Sequence, residues 1–198
     1  MKFKFKHILS QVVFKAKTQY ANMRVDIRDI KIHNIRFSGV FTLPAAADGT
    51  GSWSSPDLTF PHAFTVVKDK SITVEGNTTA TDISTSSPML NIPQELTAWT
   101  VSGASKTKKG ADDAKQCYLE ISCKIQQSGV YLLGSASEYK IIYVPFGVIW
   151  EPGKRHIYTL IFGGGYTDQG KAVLNPIQFD AETTGWVDAD NKDVNVKP

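Results

Sequence analysis

V25-D-I-R-D-I-K-I-H-N-I-R-F37 decides the fold class. Apolar residues recur at every second position through most of it, which is the period of a half-buried strand and not of a helix. The phase slips by one residue near Asp29 and again near Asn34, the signature of β-bulges in an otherwise regular strand. Outward from this stretch the same period returns. F3-K-F-K-H-I-L-S-Q-V-V-F-K-A16 alternates, as do F60-P-H-A-F-T-V-V67, S71-I-T-V-E75, C117-Y-L-E-I-S-C-K-I125, Y139-K-I-I-Y-V144, H156-I-Y-T-L-I-F162 and I177-Q-F-D180. Between them lie Ser38-Gly39, A47-D-G-T-G-S52, E75-G-N77, Ser102-Gly103, Q127-S-G129, Pro152-Gly153 and G163-G-G165. Roughly eight to ten short strands punctuated by Gly, Pro, Asn and Ser predict an all-β protein, an antiparallel β-sandwich.

Two connections can be read more closely. Q126-Q-S-G-V130 joins two apolar runs as a hairpin turn. A104-S-K-T-K-K-G-A-D-D-A114 is polar without apolar periodicity and is expected to be an exposed loop. No internal repeat, linker or composition break divides the chain, so residues 1–198 are expected to form one sandwich domain.

The bulk properties exclude several classes. At 198 residues with 41% hydrophobic and 11% aromatic content, the chain can bury a core. A net charge of +3, with K106-T-K-K109 the only interior basic cluster, offers no footprint for nucleic acid. No run of 18 apolar residues exists to span a membrane. The first residues alternate with lysine and lack the apolar run and cleavage site of a signal peptide. Cys117 and Cys123 are the only cysteines. On one strand they would stand roughly 20 Å apart, too far for a disulfide, and two buried free thiols are expected.

The motifs that could carry chemistry each lack a residue their chemistry needs. G165-Y-T-D-Q-G-K-A172 follows an apolar run as a phosphate loop would, but alanine replaces the Mg²⁺-binding Ser or Thr. V173-L-N-P-I-Q-F179 then follows where a helix should begin, so the stretch reads as a glycine-rich connection between strands. D188-A-D-N-K-D193 opens like a calcium loop but lacks its glycine and distal glutamate, and reads as an acidic tail. His7, His33, His62 and His156 are scattered without metal-ligand spacing, and His7 is placed within a strand as a structural histidine. No catalytic residue, metal ligand or cofactor site is assigned. Four tryptophans could form a sugar platform. Trp150 and Trp186 flank strands as core caps, whereas Trp53, in G49-T-G-S-W-S-S-P56, is the candidate ligand contact.

Several of these stretches together resemble one family. F3-K-F-K-H-I-L-S-Q-V-V-F14, G51-S-W53, M89-L-N-I-P-Q-E-L-T-A-W99, W150-E-P-G-K-R-H-I-Y-T-L-I-F162, N175-P-I-Q-F179 and G185-W-V-D188 are similar, in order and spacing, to motifs of the fimbrillin-like proteins. These are the pilus subunits of Bacteroidales bacteria. The resemblance covers nearly the whole chain. It implies a two-domain protein of transthyretin-like sandwiches, exported as a lipoprotein, trimmed at the cell surface and polymerised by strand donation between subunits. The F-x-H-x-L strand typically opens the C-terminal domain, so the chain resembles a C-terminal domain alone. Other pilus subunits are then the expected partners, and the outer membrane, cell surface or pilus the expected location.

Strand donation has a physical logic, because an incomplete sandwich exposes an unpaired edge that a partner's extended segment completes. M1-K-F-K-F-K6, with lysine at alternate positions, suits either a protected edge or an assembly strand. The rival reading is a non-polymerising adhesin that binds a glycan or protein through Trp53 and the loop from Thr100 to Ala114. A hydrolase with a dispersed site is the remaining alternative.

Overall fold

The computed structural model describes residues 6–46, 49–54, 62–84, 87–174 and 178–186. Strands follow in chain order: β1 Ser10–Thr18, β2 Met23–Ile35, β3 Val40–Thr42, β4 Ser52–Ser54, β5 His62–Val67, β6 Ile72–Glu75, β7 Thr81–Asp82, β8 Met89–Asn91 and β9 Gln94–Leu96. After the one α-helix among the described residues, α1 Lys108–Asp113, come β10 Tyr118–Gln127, β11 Val130–Leu133, β12 Lys140–Pro145, β13 Val148–Trp150, β14 Lys154–Phe162, β15 Gly164–Tyr166, β16 Ala172–Leu174 and β17 Gln178–Gly185.

Two sheets face each other. The first runs β17-β14-β1-β7, with β8 also on β1; the second runs β16-β15-β12-β10-β2-β5, with β11 on β10 and β6 on β2. Two small ribbons, β13-β9 and β3-β4, complete the described strands. The expected all-β sandwich is what forms. One pairing departs from the antiparallel rule: β1 and β14 run parallel, from Gln11 beside Arg155 to Thr18 beside Phe162.

The slips in β2 are real bulges. Opposite β10, Ser122 pairs with Asp29 and Cys123 with Ile27, leaving Arg28 as the extra residue. Opposite β5, His33 pairs with Ala63 and Ile35 with His62, leaving Asn34 over. Asn34 takes φ 63°, a left-handed conformation that asparagine tolerates better than most residues. Each slip restores the phase, so Met23, Val25, Ile27, Ile30, Ile32 and Ile35 all face the core. There they meet Leu119, Ile121, Cys123 and Ile125 of β10 and Phe14, Leu160 and Phe162 of the other sheet.

β10 is buried on both faces. Its outer side is covered by a second, aromatic cluster of Trp99, Tyr118, Tyr143 and Tyr166, with Ala111 of α1 inside it. This corrects the expectation of a bare loop over 104–114. A short helix forms there because the Thr107 hydroxyl accepts from the Gly110 N–H and Lys108 and Lys109 pair with Asp112 and Asp113 four residues on. The strand expected from Phe3 begins only at Ser10, and His7 lies ahead of it. Residues 1–5 of M1-K-F-K-F-K6, Phe60 and Pro61, Asn175–Ile177, and the acidic stretch D188–D193 lie outside the described residues.

The hairpin at Q126-Q-S-G-V130 is present, with Ser128 at φ 49° and Gly129 at φ 81°. Both positive angles suit a type I′ turn, and the second falls on the residue that adopts it at no steric cost. The phosphate-loop look-alike is itself a hairpin, β15 to β16. Cys117 and Cys123 are free and buried.

Candidate functional site

The polar groups most suggestive of chemistry, Asp112 of α1 and Glu120 of β10, are engaged with neighbouring side chains. Asp112 accepts from the Tyr118 hydroxyl at 2.7 Å, the Asn34 amide at 3.1 Å and Lys108 Nζ at 2.9 Å. Burial works against its charge, yet these hydrogen bonds hold its carboxyl below the usual range. Glu120 accepts from Lys31 Nζ at 3.0 Å. His33 Nε2 lies 3.2 Å from its other oxygen, at ion-pair distance without the alignment of a full hydrogen bond. The His33 contact first, and Lys31 with it, bring the Glu120 carboxyl down to about 2 against the opposing effect of burial.

The potential nucleophiles are idle. Burial raises both thiols, Cys123 to about 12 and Cys117 higher still. His156 accepts the Glu151 N–H at Nε2 and has Thr183 Oγ1 3.4 Å from Nδ1. Burial lowers its pKa, so the neutral ring serves the β13–β14 turn. Among the described residues, no three His, Cys, Asp or Glu are grouped to hold a metal ion, and no helix is long and apolar enough to cross a membrane.

Binding geometry is found instead at the two ends of the sandwich. At the end where β1 begins, Lys6, His7 and Ile8 run ahead of the strand. The β3–β4 ribbon leans on them. Trp53 Nε1 donates to the Ile8 carbonyl at 2.7 Å, and Lys6 Nζ to the Gly49 carbonyl at 3.2 Å. The Trp53 ring is half-buried and tilts against Phe41, with centroids 5.2 Å apart. Across from them the Gly153 N–H donates to the Leu9 carbonyl, and the Gly153 carbonyl accepts from the Trp186 N–H. Trp186 then stacks on His7 at 3.7 Å and 7°. These pieces enclose a cleft of about 340 Å³ lined by aromatic rings, backbone, the Thr50 side chain and Lys6.

The opposite end is the β10–β11 hairpin. It is tied to the β1–β2 turn by Asn22, whose carbonyl accepts from the Ser128 N–H and whose amide donates to the Ser128 hydroxyl. Val130, Tyr131 and Leu132 are 65%, 37% and 41% exposed. Among the described residues only β10 pairs with β11, so its outer edge offers both apolar side chains and backbone groups. Exposed Tyr20 and Leu174 stand beside it, around a cleft of about 360 Å³.

The site residue chosen from sequence, Trp53, therefore props the aromatic cleft, its indole N–H already engaged. Trp150 is fully buried, as expected of a core cap, and Trp186 is half-buried at the cleft wall. The loop from Thr100 to Ala114 is folded onto the outer face of the second sheet. His7, expected within a strand as a structural histidine, lies ahead of β1 and stacks on Trp186, Phe41 carries no sequence signal, and no spacing connects either with Trp186.

The described residues form an all-β sandwich with an aromatic cleft at one end and an open strand edge at the other. The profile of the fimbrillin-like family matches residues 1–186, and the chain belongs to that family. A comparison with curated proteins found no match. Among solved structures, a fimbrial protein of Bacteroides vulgatus superposes with a TM-score of 0.52 at 15% identity, covering 93% of this chain and 56% of that one. A candidate cell adhesion protein of Parabacteroides distasonis gives a TM-score of 0.52 at 10% identity, covering 94% and 54%. At such identities the likeness is one of fold. The chain spans a little over half the length of these relatives.

Proposed function

We propose that the chain is the C-terminal sandwich domain of a bacterial pilus subunit, structural and not catalytic, joined to its neighbours by β-strand addition. The full protein would be a Bacteroidales lipoprotein displayed at the outer membrane. Family membership supports the pilus setting, and the observation that carries assembly is the β11 edge. Among the described residues β11 pairs with β10 alone, and its V-Y-L-L run carries neither charge nor proline, the kind of edge natural proteins normally guard. Though short and bulged against β10, such an edge suits a partner strand, which supplies ladder hydrogen bonds and apolar side chains together.

Immunogold electron microscopy of the source cells, with antibody to this domain, tests the reading. Gold along filaments identifies a stalk subunit; gold confined to filament ends identifies a tip subunit. Label on cells without filaments would overturn assembly and leave a non-polymerising surface adhesin. The aromatic cleft favours that second reading, since a stalk subunit has no need of a ligand-sized recess.

A further inference from the structure

The cleft at the β1 end has the construction of a small-molecule site. Its volume of about 340 Å³ lies at the lower end of the range for ligand pockets, which run to roughly 1,000 Å³. It is preformed. The walls are fixed by the Trp53–Ile8, Gly153–Leu9 and Trp186–Gly153 hydrogen bonds, and a β-carbon at Gly51 would stand 2.2 Å from Phe41 Cζ. Glycine is therefore required at 51 for the Phe41 ring to form its wall. Gly153, at φ 67°, has room for a β-carbon only 3.2 Å from the His7 carbonyl.

Its chemistry narrows the ligand. Among the described residues the lining is aromatic and neutral apart from Lys6. Aromatic surface comes from Phe41 and the stacked His7–Trp186 pair, while the exposed Thr50 supplies a polar group at the rim. A ligand with one flat apolar face and a rim of hydroxyls satisfies both sets at once; a purely apolar side chain would leave the polar groups unmatched. We propose that this cleft binds a terminal pyranose of a surface glycan, with its C–H face on the aromatic wall and its hydroxyls toward Thr50 and solvent. Trp53 acts as a positioning residue, holding Ile8 and Phe41. The inference rests on the adhesive reading of the chain and names its ligand class.

The test uses the whole chain and a panel of methyl pyranosides of glucose, galactose, N-acetylglucosamine and glucuronic acid, observed by saturation-transfer NMR at millimolar concentration. At least one sugar is expected to give transfer. Trp186→Ala should weaken it at least tenfold, Trp186→Phe should retain it, and both variants should melt near the parent. Thr50→Val provides a second variant on an exposed loop and should weaken binding without touching the aromatic wall. Transfer from none of the four sugars, or transfer unchanged in both Trp186→Ala and Thr50→Val, would overturn the proposal. Gold-labelled filaments combined with no sugar binding would reject the cleft's role while leaving the pilus reading standing.

Discussion

The two ends of the sandwich expose similar kinds of side chain but differ in what their backbones offer. At the β1 end the main chain is engaged: the carbonyls of Ile8, Leu9 and Gly153 accept from Trp53, Gly153 and Trp186. What remains open is ring surface in a recess. At the β11 end Val130, Tyr131 and Leu132 are exposed on a strand that pairs on one side only among the described residues. An apolar surface without free backbone suits a compact ligand. The same surface with a free ladder suits another strand. Backbone satisfaction, more than hydrophobicity, separates the two ends.

That contrast assumes one core beneath both ends. Phe14 is fully buried between Phe146 and Tyr158, at centroid distances of 5.9 and 5.7 Å. Phe14→Ala should cost about 3–5 kcal/mol, and chemical denaturation followed by NMR should show resonances from both ends lost at one midpoint. Separate midpoints would mean that the ends are supported independently.

Acid gives the next largest effect, and it should strike between the ends. Glu120 has a folded-state pKa of about 2 against an ordinary 4.5. A depressed carboxylate contributes stability that is complete above the unfolded value and disappears as pH falls through the folded one. Stability should therefore decline from about pH 4.5 toward 2, by up to about 3 kcal/mol for this group. Glu120→Gln should flatten that decline in urea titrations across the range. Amide exchange should rise first around Lys31, His33 and Glu120, and an end that opened earlier would break the comparison.

A smaller effect isolates the aromatic end. Trp53→Phe keeps a ring against Phe41 but removes the donor to the Ile8 carbonyl, an expected loss of about 0.5–1.5 kcal/mol. Hydrogen exchange should quicken in the β3–β4 ribbon and residues 6–9, leaving the β10–β11 hairpin unchanged. Equal quickening at both ends would show that Trp53 acts on the whole fold.

How much of this could be read beforehand varied with length and distance. The two slips in V25–F37 were legible because thirteen residues give alternation room to show its phase. The parallel partnership of β1 and β14 was not, since periodicity names a face and says nothing of neighbour or direction. The two- and three-residue strands are too short to alternate. The six-residue α1 is shorter than two helical turns, so its cap and Lys–Asp pairs were its only signals. At the cleft the glycines misled. Those flanking Trp53 suggested an exposed loop, whereas Gly39 and Gly51 admit close contact: a β-carbon at 39 would sit 3.2 Å from the Trp53 ring. The turn at Gly153 sets Trp186 against His7, and the β3–β4 ribbon carries Phe41 to the same cleft, a convergence that no local pattern announces.

The β11 end should show the least thermodynamic and the most functional response. Val130 is largely exposed, so Val130→Lys should alter stability by no more than about 0.5 kcal/mol. A lysine there places charge where an added strand would lay its apolar side chains, the device by which natural edges refuse partners. Expressed in the full-length protein in the source cells, the variant should fold, reach the surface and be missing from filaments when shear-released material is blotted. Serine at 130 is the matched control, because it removes the same apolar surface without introducing charge. Loss with lysine and retention with serine would mean the ladder carries the contact; loss with both would assign it to the side chain. Retention with both would place assembly on a different edge and leave β11 as exposed apolar surface alone.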